Sequence, residues 1–219
     1  MHQRLSPARR AALRFGSAVR FFRKGILDFD TTANVIPSSR FLVKAMLDPL
    51  EHGAARCVVE LGTGTGTMTR EILRRLGPGA HVHAVEIDAS LLRATVRSTH
   101  DPRLRAHHGS AAHTKDLIDA PCVGKVDAVV SSLGLAAMDR ELRWRIQQSI
   151  QDVLAPGGLY TQYAYPHARA ITVSFARREI YQFDAGAFLR RTWSEVYEEF
   201  VPANIPPAFV YTCRRGLAR

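Results

Sequence analysis

Val58–Met68, VVELGTGTGTM, joins two β-branched residues and an acid to three glycines at alternate positions. Cys57, Val58 and Val59 read as a buried parallel strand, closed by Glu60 beside a turn. Gly62, Gly64 and Gly66 remove side chains where backbone must pass close to a ligand, and Thr63 sits among them. From Thr67 the period becomes helical: Met68, Ile72, Leu73 and Leu76 share one side, and Gly77-Pro78-Gly79 stops the run. The turn thus delivers a helix N-terminus, and predicts a nucleotide-like cofactor at the junction.

Glu86, twenty residues beyond Gly66, ends a second strand, HVHAVEID, where an acid can accept both ribose hydroxyls. The glycine spacing is GxGxG rather than the GxGxxG of dinucleotide folds, which favours a cofactor without pyrophosphate. A nicotinamide enzyme and a tight turn that binds nothing are the alternatives. Downstream, strand and helix patterns alternate as a doubly wound sheet requires. They comprise a helix at 89–97, strands at 104–107 and 127–131, a helix at 141–154 and a fifth strand, LYTQYAY, entered by a Pro156-Gly157-Gly158 turn. Residues 194–201 and 208–213, joined by PANIPP, read as an antiparallel pair closing the sheet. Ahead of the first strand, Ser38 or Ser39 caps a helix that packs Phe41, Leu42, Ala45, Met46 and Leu50 on the sheet.

The chain has 219 residues, 46% of them hydrophobic, enough for one α/β domain with a sizeable core. No apolar run reaches the roughly 20 residues needed to span a bilayer, and no signal peptide is expected. Net charge is +10, so the molecule should be drawn to polyanions. Residues 1–27 contain Arg4, Arg9, Arg10, Arg14, Arg20, Arg23 and Lys24 without one acid, while Leu5, Ala8, Ala12, Phe15, Val19, Phe22 and Ile26 recur at steps of three and four. This basic amphipathic segment suits a membrane interface; packing on the domain and nucleic-acid binding are the other readings. Mid-helix Gly16 costs about 1 kcal/mol relative to alanine, which fits a helix ordered by its surroundings. Cys57, Cys122 and Cys213 lack paired spacing and read as reduced core thiols of a cytoplasmic protein. The nine histidines show no ligand spacing either; His81 and His83 share a sheet face, His107 and His108 end a strand, and no metal is expected.

ELGTGTG followed by AVEID resembles the class I S-adenosylmethionine (SAM) dependent methyltransferases. Over nearly the whole chain, FFRKGILDF, NVIPSSR, VDAVVSSLGL, LAPGGLYTQYAY and NIPPAFVYTCRR together resemble bacterial phospholipid N-methyltransferases. The resemblance implies a Rossmann-like, mostly parallel seven-stranded sheet with an antiparallel closing strand, over residues 28–219, preceded by the amphipathic helix of 1–27. It also implies SAM as methyl donor, S-adenosylhomocysteine as product, and phosphatidylethanolamine and its mono- and dimethylated forms as acceptors. The partners would be an anionic membrane surface and an amino phospholipid, the location peripheral on the cytoplasmic face of a bacterial membrane, with no obligatory protein partner. A weaker similarity to rRNA adenine dimethyltransferases keeps an RNA methyltransferase or RNA-binding relative as the alternative. Ser131-Ser132-Leu133-Gly134 stands where those enzymes carry an NxPY-type motif, so nucleic acid is not the favoured partner. Another amino lipid or a small amine is a further alternative acceptor.

On this resemblance Glu60, Gly62, Thr63, Gly64, Gly66, Glu86, Ile87, Ser110, Ala111, Ser131 and Ser132 are the cofactor-binding candidates. Gly109-Ser110-Ala111 replaces the usual GDA-like triplet, and Gly134 stands where the phospholipid enzymes typically have proline. The reaction is an in-line attack of a neutral nitrogen lone pair on the sulfonium methyl, which requires alignment and loss of a proton. Tyr163 and Tyr165 share a strand face with Thr161 and offer aromatic faces to a methylated ammonium, or simply pack the strand. His167 is a candidate base, or a solvated loop histidine. Lys24, Arg177 and Arg178 are candidates for the lipid phosphate, with Tyr165 also on the substrate side. Phe175, Phe183 and Phe188 either line an acyl groove or belong to the core.

Overall fold

β1 (Cys57–Leu61) is buried along its whole length because it lies mid-sheet, between β2 (His81–Glu86) and β4 (Val126–Ser131), both parallel to it. The computed structural model describes residues 39–50, 54–166, 172–174 and 179–217. The segment 1–27 with Lys24, the alternative cap Ser38, and His167, Phe175, Arg177 and Arg178 lie outside the described residues.

β3 (Leu104–His108) extends the sheet beyond β2, and β5 (Leu154–Ala164) beyond β4, again in parallel. β9 (Ala208–Arg214) then runs antiparallel between β5 and β8 (Glu195–Val201), so the order is β3-β2-β1-β4-β5-β9-β8. A separate two-stranded ribbon pairs β6 (Thr172–Ser174) with β7 (Glu179–Tyr181). The expected seven-stranded, mostly parallel sheet with its antiparallel closing pair is therefore present. Its chain order reverses between β1 and β4, and in open α/β sheets ligands collect outside the carboxyl ends of the strands at such a point.

Period-2 alternation sorts the strand residues between two faces. Val58, Val82, Ala128 and Val130 meet α1 (Arg40–Leu47) and α2 (Thr67–Arg75), which bury Leu42, Met46, Leu47, Met68, Ile72 and Leu73 against them. Each such side chain stabilises the fold by about 1.5–3 kcal/mol. On the opposite face α4 (Arg140–Val153) lays Ile146, Ile150 and Val153, and its Gln147 Nε2 donates to the Tyr160 hydroxyl at 3.2 Å. The Tyr160 ring stacks on Trp193, with centroids 5.4 Å apart. Both edge strands expose charge, Arg105 and His108 on β3 and Glu195, Glu198 and Glu199 on β8, which discourages pairing with another chain. Among the described residues no helix is long and apolar enough to cross a membrane.

Two local expectations are corrected. Phe41, expected on the packed side of α1, is 43% exposed, with the Arg40 guanidinium 4.8 Å from its ring centroid. Leu42, Val43, Met46 and Leu47 form the buried stripe instead, so Phe41 falls beside it. Pro156-Gly157-Gly158, expected as a turn before β5, lies within the strand as an irregularity: Val126 pairs with Leu154 and Ala128 with Leu159. Gly157 has φ 78°, and the Gly157 N–H and Gly158 carbonyl both bond to the Arg215 backbone, so the extra residues keep partners inside the sheet.

The C-terminus of α2 ends in an arginine clasp. Arg103, leading into β3, donates from Nη2 to the Leu73 carbonyl at 2.9 Å and from Nη1 to those of Leu76 and Gly77 at 2.9 and 3.2 Å. Asp101 holds the guanidinium in place with bonds of 3.0 and 2.7 Å. Helix-end carbonyls otherwise lack partners, and a charged donor suits the negative end of the helix dipole. Arg103→Met should lower urea-denaturation stability by about 1.5–3 kcal/mol; an unchanged midpoint would show that the clasp contributes nothing.

Candidate active site

The turn after β1 is held open by backbone conformation. Gly62, Gly64 and Gly66 have φ of 79°, 52° and 77°, a region where a side chain is strained. A Cβ at Gly62 would stand 3.1 Å from Leu133 Cδ2, whereas one at Gly64 would meet nothing within 4 Å. Gly62 is thus required by packing and Gly64 faces open space. Gly62 N–H donates to the Val85 carbonyl at 2.9 Å, and Gly66 N–H to that of Thr63 at 2.9 Å, so the turn is sewn to β2 and to itself.

α3 (Ala89–Thr99), N-capped by Asp88, reaches back to the same turn. Fully buried Thr95 donates to the Gly64 carbonyl at 3.3 Å, and its side chain lies 3.1 Å from where a Gly66 Cβ would be. Thr95 escaped sequence reasoning, because a lone threonine on a helix gives no signal until the facing glycine is known.

Glu86 ends β2 beside this turn and is 5% exposed. One carboxylate oxygen accepts from Gly64 N–H at 3.2 Å and the Thr63 hydroxyl at 3.5 Å; the other accepts from Asp88 N–H at 3.0 Å. Ile87 follows, its carbonyl 3.1 Å from His108 Nε2. The Glu86 carbonyl accepts from Gly109 N–H at 3.0 Å, which brings Ser110 and Ala111 alongside. Ser110 Oγ accepts from Ala112 N–H at 3.3 Å and starts a short turn in which Ala111 is buried.

Glu60 is fully buried beside Thr69 of α2, which is the group that offers it hydrogen bonds. Burial pushes the Glu60 pKa up to about 8, against the partial help of nearby Thr69, and the Glu86 charge adds to the rise.

Across the reversal point, Ser132 N–H donates to the Leu61 carbonyl at 2.9 Å. The Ser131 hydroxyl donates to Gln162 Oε1 at 2.7 Å, and Gln162 Nε2 donates to the Leu133 carbonyl at 2.9 Å. The Tyr160 hydroxyl also donates to Gln162 Oε1, at 3.0 Å, and Trp193 Nε1 donates to Gln147 Oε1 at 2.8 Å. This buried chain fixes the SSLG loop from below, and Ser131 turns its side chain into it. Arg143 steadies the next stretch, donating to the Met138 carbonyl at 2.8 Å while stacking on Phe183, 4.2 Å from the ring centroid. Phe183 is buried there, 5.7 Å from Phe188, so its place is in the core.

Tyr163 and Tyr165 share a face, with ring centroids 5.5 Å apart and edge-to-face, packed against the cluster that contains α1. Asn204 of the closing turn comes to the same place. Its Oδ1 accepts from Ser39 N–H at 3.2 Å, its Nδ2 donates to the Pro206 carbonyl at 2.7 Å, and the Tyr165 hydroxyl is hydrogen-bonded to it. The PSSR cap and the NIPPA turn therefore meet at the end of β5. Asn204 also escaped sequence reasoning, since its partners lie 165 residues away at Ser39 and elsewhere on another strand.

A family model described as a methyltransferase domain matches residues 58–158. An ornithine lipid N-methyltransferase of Singulisphaera acidiphila is 31% identical over 198 residues, covering 89% of this chain and 92% of that protein. Ribosomal RNA small subunit methyltransferase A of Thiobacillus denitrificans is 37% identical over 70 residues, 32% of this chain and 26% of its own. Among solved structures, a Burkholderia thailandensis 1,6-didemethyltoxoflavin-N1-methyltransferase with bound S-adenosylhomocysteine superposes with a TM-score of 0.65, at 18% identity over 99% of this chain and 93% of that one. With its glycine turn, acid-ended second strand and reversed strand order, this chain belongs to the class I SAM-dependent methyltransferases.

Proposed function

We propose that this enzyme transfers methyl groups from SAM to the amino headgroup of a membrane lipid. The finer reading takes phosphatidylethanolamine and its mono- and dimethylated forms as acceptors, toward phosphatidylcholine, with an ornithine lipid as the competing acceptor. One observation carries the lipid reading: the likeness to an ornithine lipid N-methyltransferase spans 198 residues and so takes in the acceptor half of the chain. Similarity to the RNA enzyme stops at 70 residues.

The residues at the switch point fit an adenosyl sulfonium donor. Gly64 combines positive φ with open space, and the fully buried carboxyl of Glu60 closes the strand that leads into the turn. A cationic ligand with an adenosine ribose complements both acids better than a pyrophosphate would. SAM supplies a methyl group already activated on a sulfonium. The chain's own part is to bind and align. Glu86, oriented by Gly64 and Asp88 amides, keeps lone pairs for the ribose hydroxyls. Gly62, Thr63 and Gly66 shape the cradle; Ile87, Ser110 and Ala111 flank the adenine; Ser131 and Ser132 set the loop between donor and acceptor. Tyr163 and Tyr165 would face the ammonium as its positive charge grows, a contact contributing about 0.5–2 kcal/mol. His167 would take the amine proton, Lys24, Arg177 and Arg178 would meet the lipid phosphate, and the basic segment 1–27 would hold the enzyme on the cytoplasmic membrane face.

With labelled SAM, the enzyme should place label in vesicles that contain phosphatidylethanolamine or ornithine lipid, and mass spectrometry of the product names the acceptor. Label in total RNA and none in either lipid overturns the proposal.

Glu86→Ala should weaken SAM binding in calorimetry by about 1.5–3 kcal/mol, through loss of a charged acceptor. Equal affinity for both proteins would remove the ribose contact from Glu86.

Glu60 generates a pH dependence. In the folded protein it holds its proton up to about pH 8, whereas in the unfolded chain it releases it near its ordinary 4.5. Between those values the folded state binds the extra proton, so its contribution is full below 4.5 and declines as pH rises through 8. Glu60→Gln, which mimics the neutral acid, should therefore flatten the fall of the denaturation midpoint between about pH 5 and pH 9. Parallel pH profiles for the two proteins would contradict a buried neutral Glu60.

A further inference from the structure

At the ends of β1 and β2 away from the glycine turn, four soft ligands converge. Cys57 opens β1 and is paired in register with His81, the first residue of β2. His83 lies two residues further along the same face, its ring centroid 5.0 Å from that of His81. Cys122, from the turn at 120–122 ahead of β4, closes over them, with Sγ 3.3 Å from His81 Nε2. One ligand atom from each of these four residues lies within 4.8 Å of every other. All three cysteines of the chain are free thiols.

Two details distinguish this cluster from ordinary core packing. His83 is fully buried, and its Nε2 has no hydrogen-bond partner. Its other nitrogen, Nδ1, is engaged at 2.9 Å by His107 Nε2. With one ring nitrogen engaged by His107 and the other bare, His83 has a ring position open to a metal and a neighbour that holds its orientation. We propose that Cys57, His81, His83 and Cys122 form a structural site for a thiophilic divalent cation, Zn(II) above others.

The charge balance favours it. A dication bound by two thiolates and two neutral imidazoles is a neutral unit, the form in which a buried ion cluster is tolerable. Binding forms two metal–sulfur bonds as two S–H protons pass to solvent. Arg105, ion-paired with Asp119, and Asp127, which accepts from the Arg56 and Cys57 amides at 2.7 and 2.9 Å, complete the charged surroundings. Four tetrahedral donors leave no open position, which marks a structural rather than a catalytic site. The site joins β1, β2 and the approach to β4; Cys57 lies five residues before Gly62, about 16 Å along β1 at ~3.3 Å per residue, clear of the methyl-transfer chemistry.

The test uses the whole chain purified without chelator or a metal-affinity resin. Elemental analysis should find one zinc per chain, and replacement by Co(II) should give the intense absorption of a tetrahedral thiolate complex. Cys122→Ser should lose stoichiometric metal yet still bind SAM, which reports an intact fold. His107→Ala should keep the site but weaken Co(II) affinity about 10–100-fold, as loss of a supporting hydrogen bond does. If Cys122→Ser fails to fold, the Co(II) titration of the natural protein still decides. An octahedral or absent Co(II) spectrum with all thiols freely titrating overturns the proposal. So does a Cys57–Cys122 disulfide found by mass spectrometry of the protein as purified.

Discussion

The constraint on which this molecule rests is the close passage of the backbone at the end of β1. β1 is the middle strand of the parallel sheet, so whatever follows it must leave between β2 and β4 without a side chain to spare. Gly62 meets Leu133 at 3.1 Å on the place of a missing Cβ, and its amide is bound to Val85. Everything placed near the ligand is then positioned relative to this turn: Glu86 by accepting from Gly64, Thr95 by donating to the Gly64 carbonyl, Ser132 by donating to Leu61. A bulkier turn would displace the Leu133 side of the loop as well as the helix that follows.

Two acids flank that turn with different electrostatic fates. Glu86 is surrounded by donors: the Gly64 and Asp88 amides and the Thr63 hydroxyl. Glu60, one strand inward, is fully buried, and desolvation outweighs the help of Thr69, so it holds its proton near neutrality. A cation arriving above the turn would reverse that balance, since an opposite charge favours the ionised carboxylate. Keeping Glu60 neutral until then avoids two repelling carboxylates at one site.

Much of this was legible in the chain because local chemistry and global fold agree. The glycine turn, the acid at Glu86, the α2 stripe and the closing strand pair each rest on patterns within a few residues. The misreadings share a different cause. Phe41 is apolar and helical in spacing, but which five of eight residues a short helix buries is decided by the sheet beneath it. Pro156-Gly157-Gly158 has turn chemistry, yet the strand absorbs it because Arg215, far along the chain, supplies the missing backbone partners. The same holds for what spacing along the chain could not show. Cys57, His81, His83 and Cys122 have no motif spacing because their proximity is created by strand register, with Cys57 opposite His81. Gln162 looks like any polar strand residue until Ser131, Tyr160 and Leu133 converge on it.

The end of β5 shows how a wall can be made from distant segments. Tyr163 and Tyr165 come from the end of β5, Ser39 from the start of α1, and Asn204 from the turn between β8 and β9. Asn204 satisfies the Ser39 amide and the Pro206 carbonyl at once, so the closing turn cannot shift without unpairing the cap of α1. Since α1 also packs on Val58 and Val82, a movement at the tyrosines would be felt in the strands that carry the glycine turn. The two tyrosine rings are held edge to face by each other and by this clamp, which fixes their orientation before any substrate arrives.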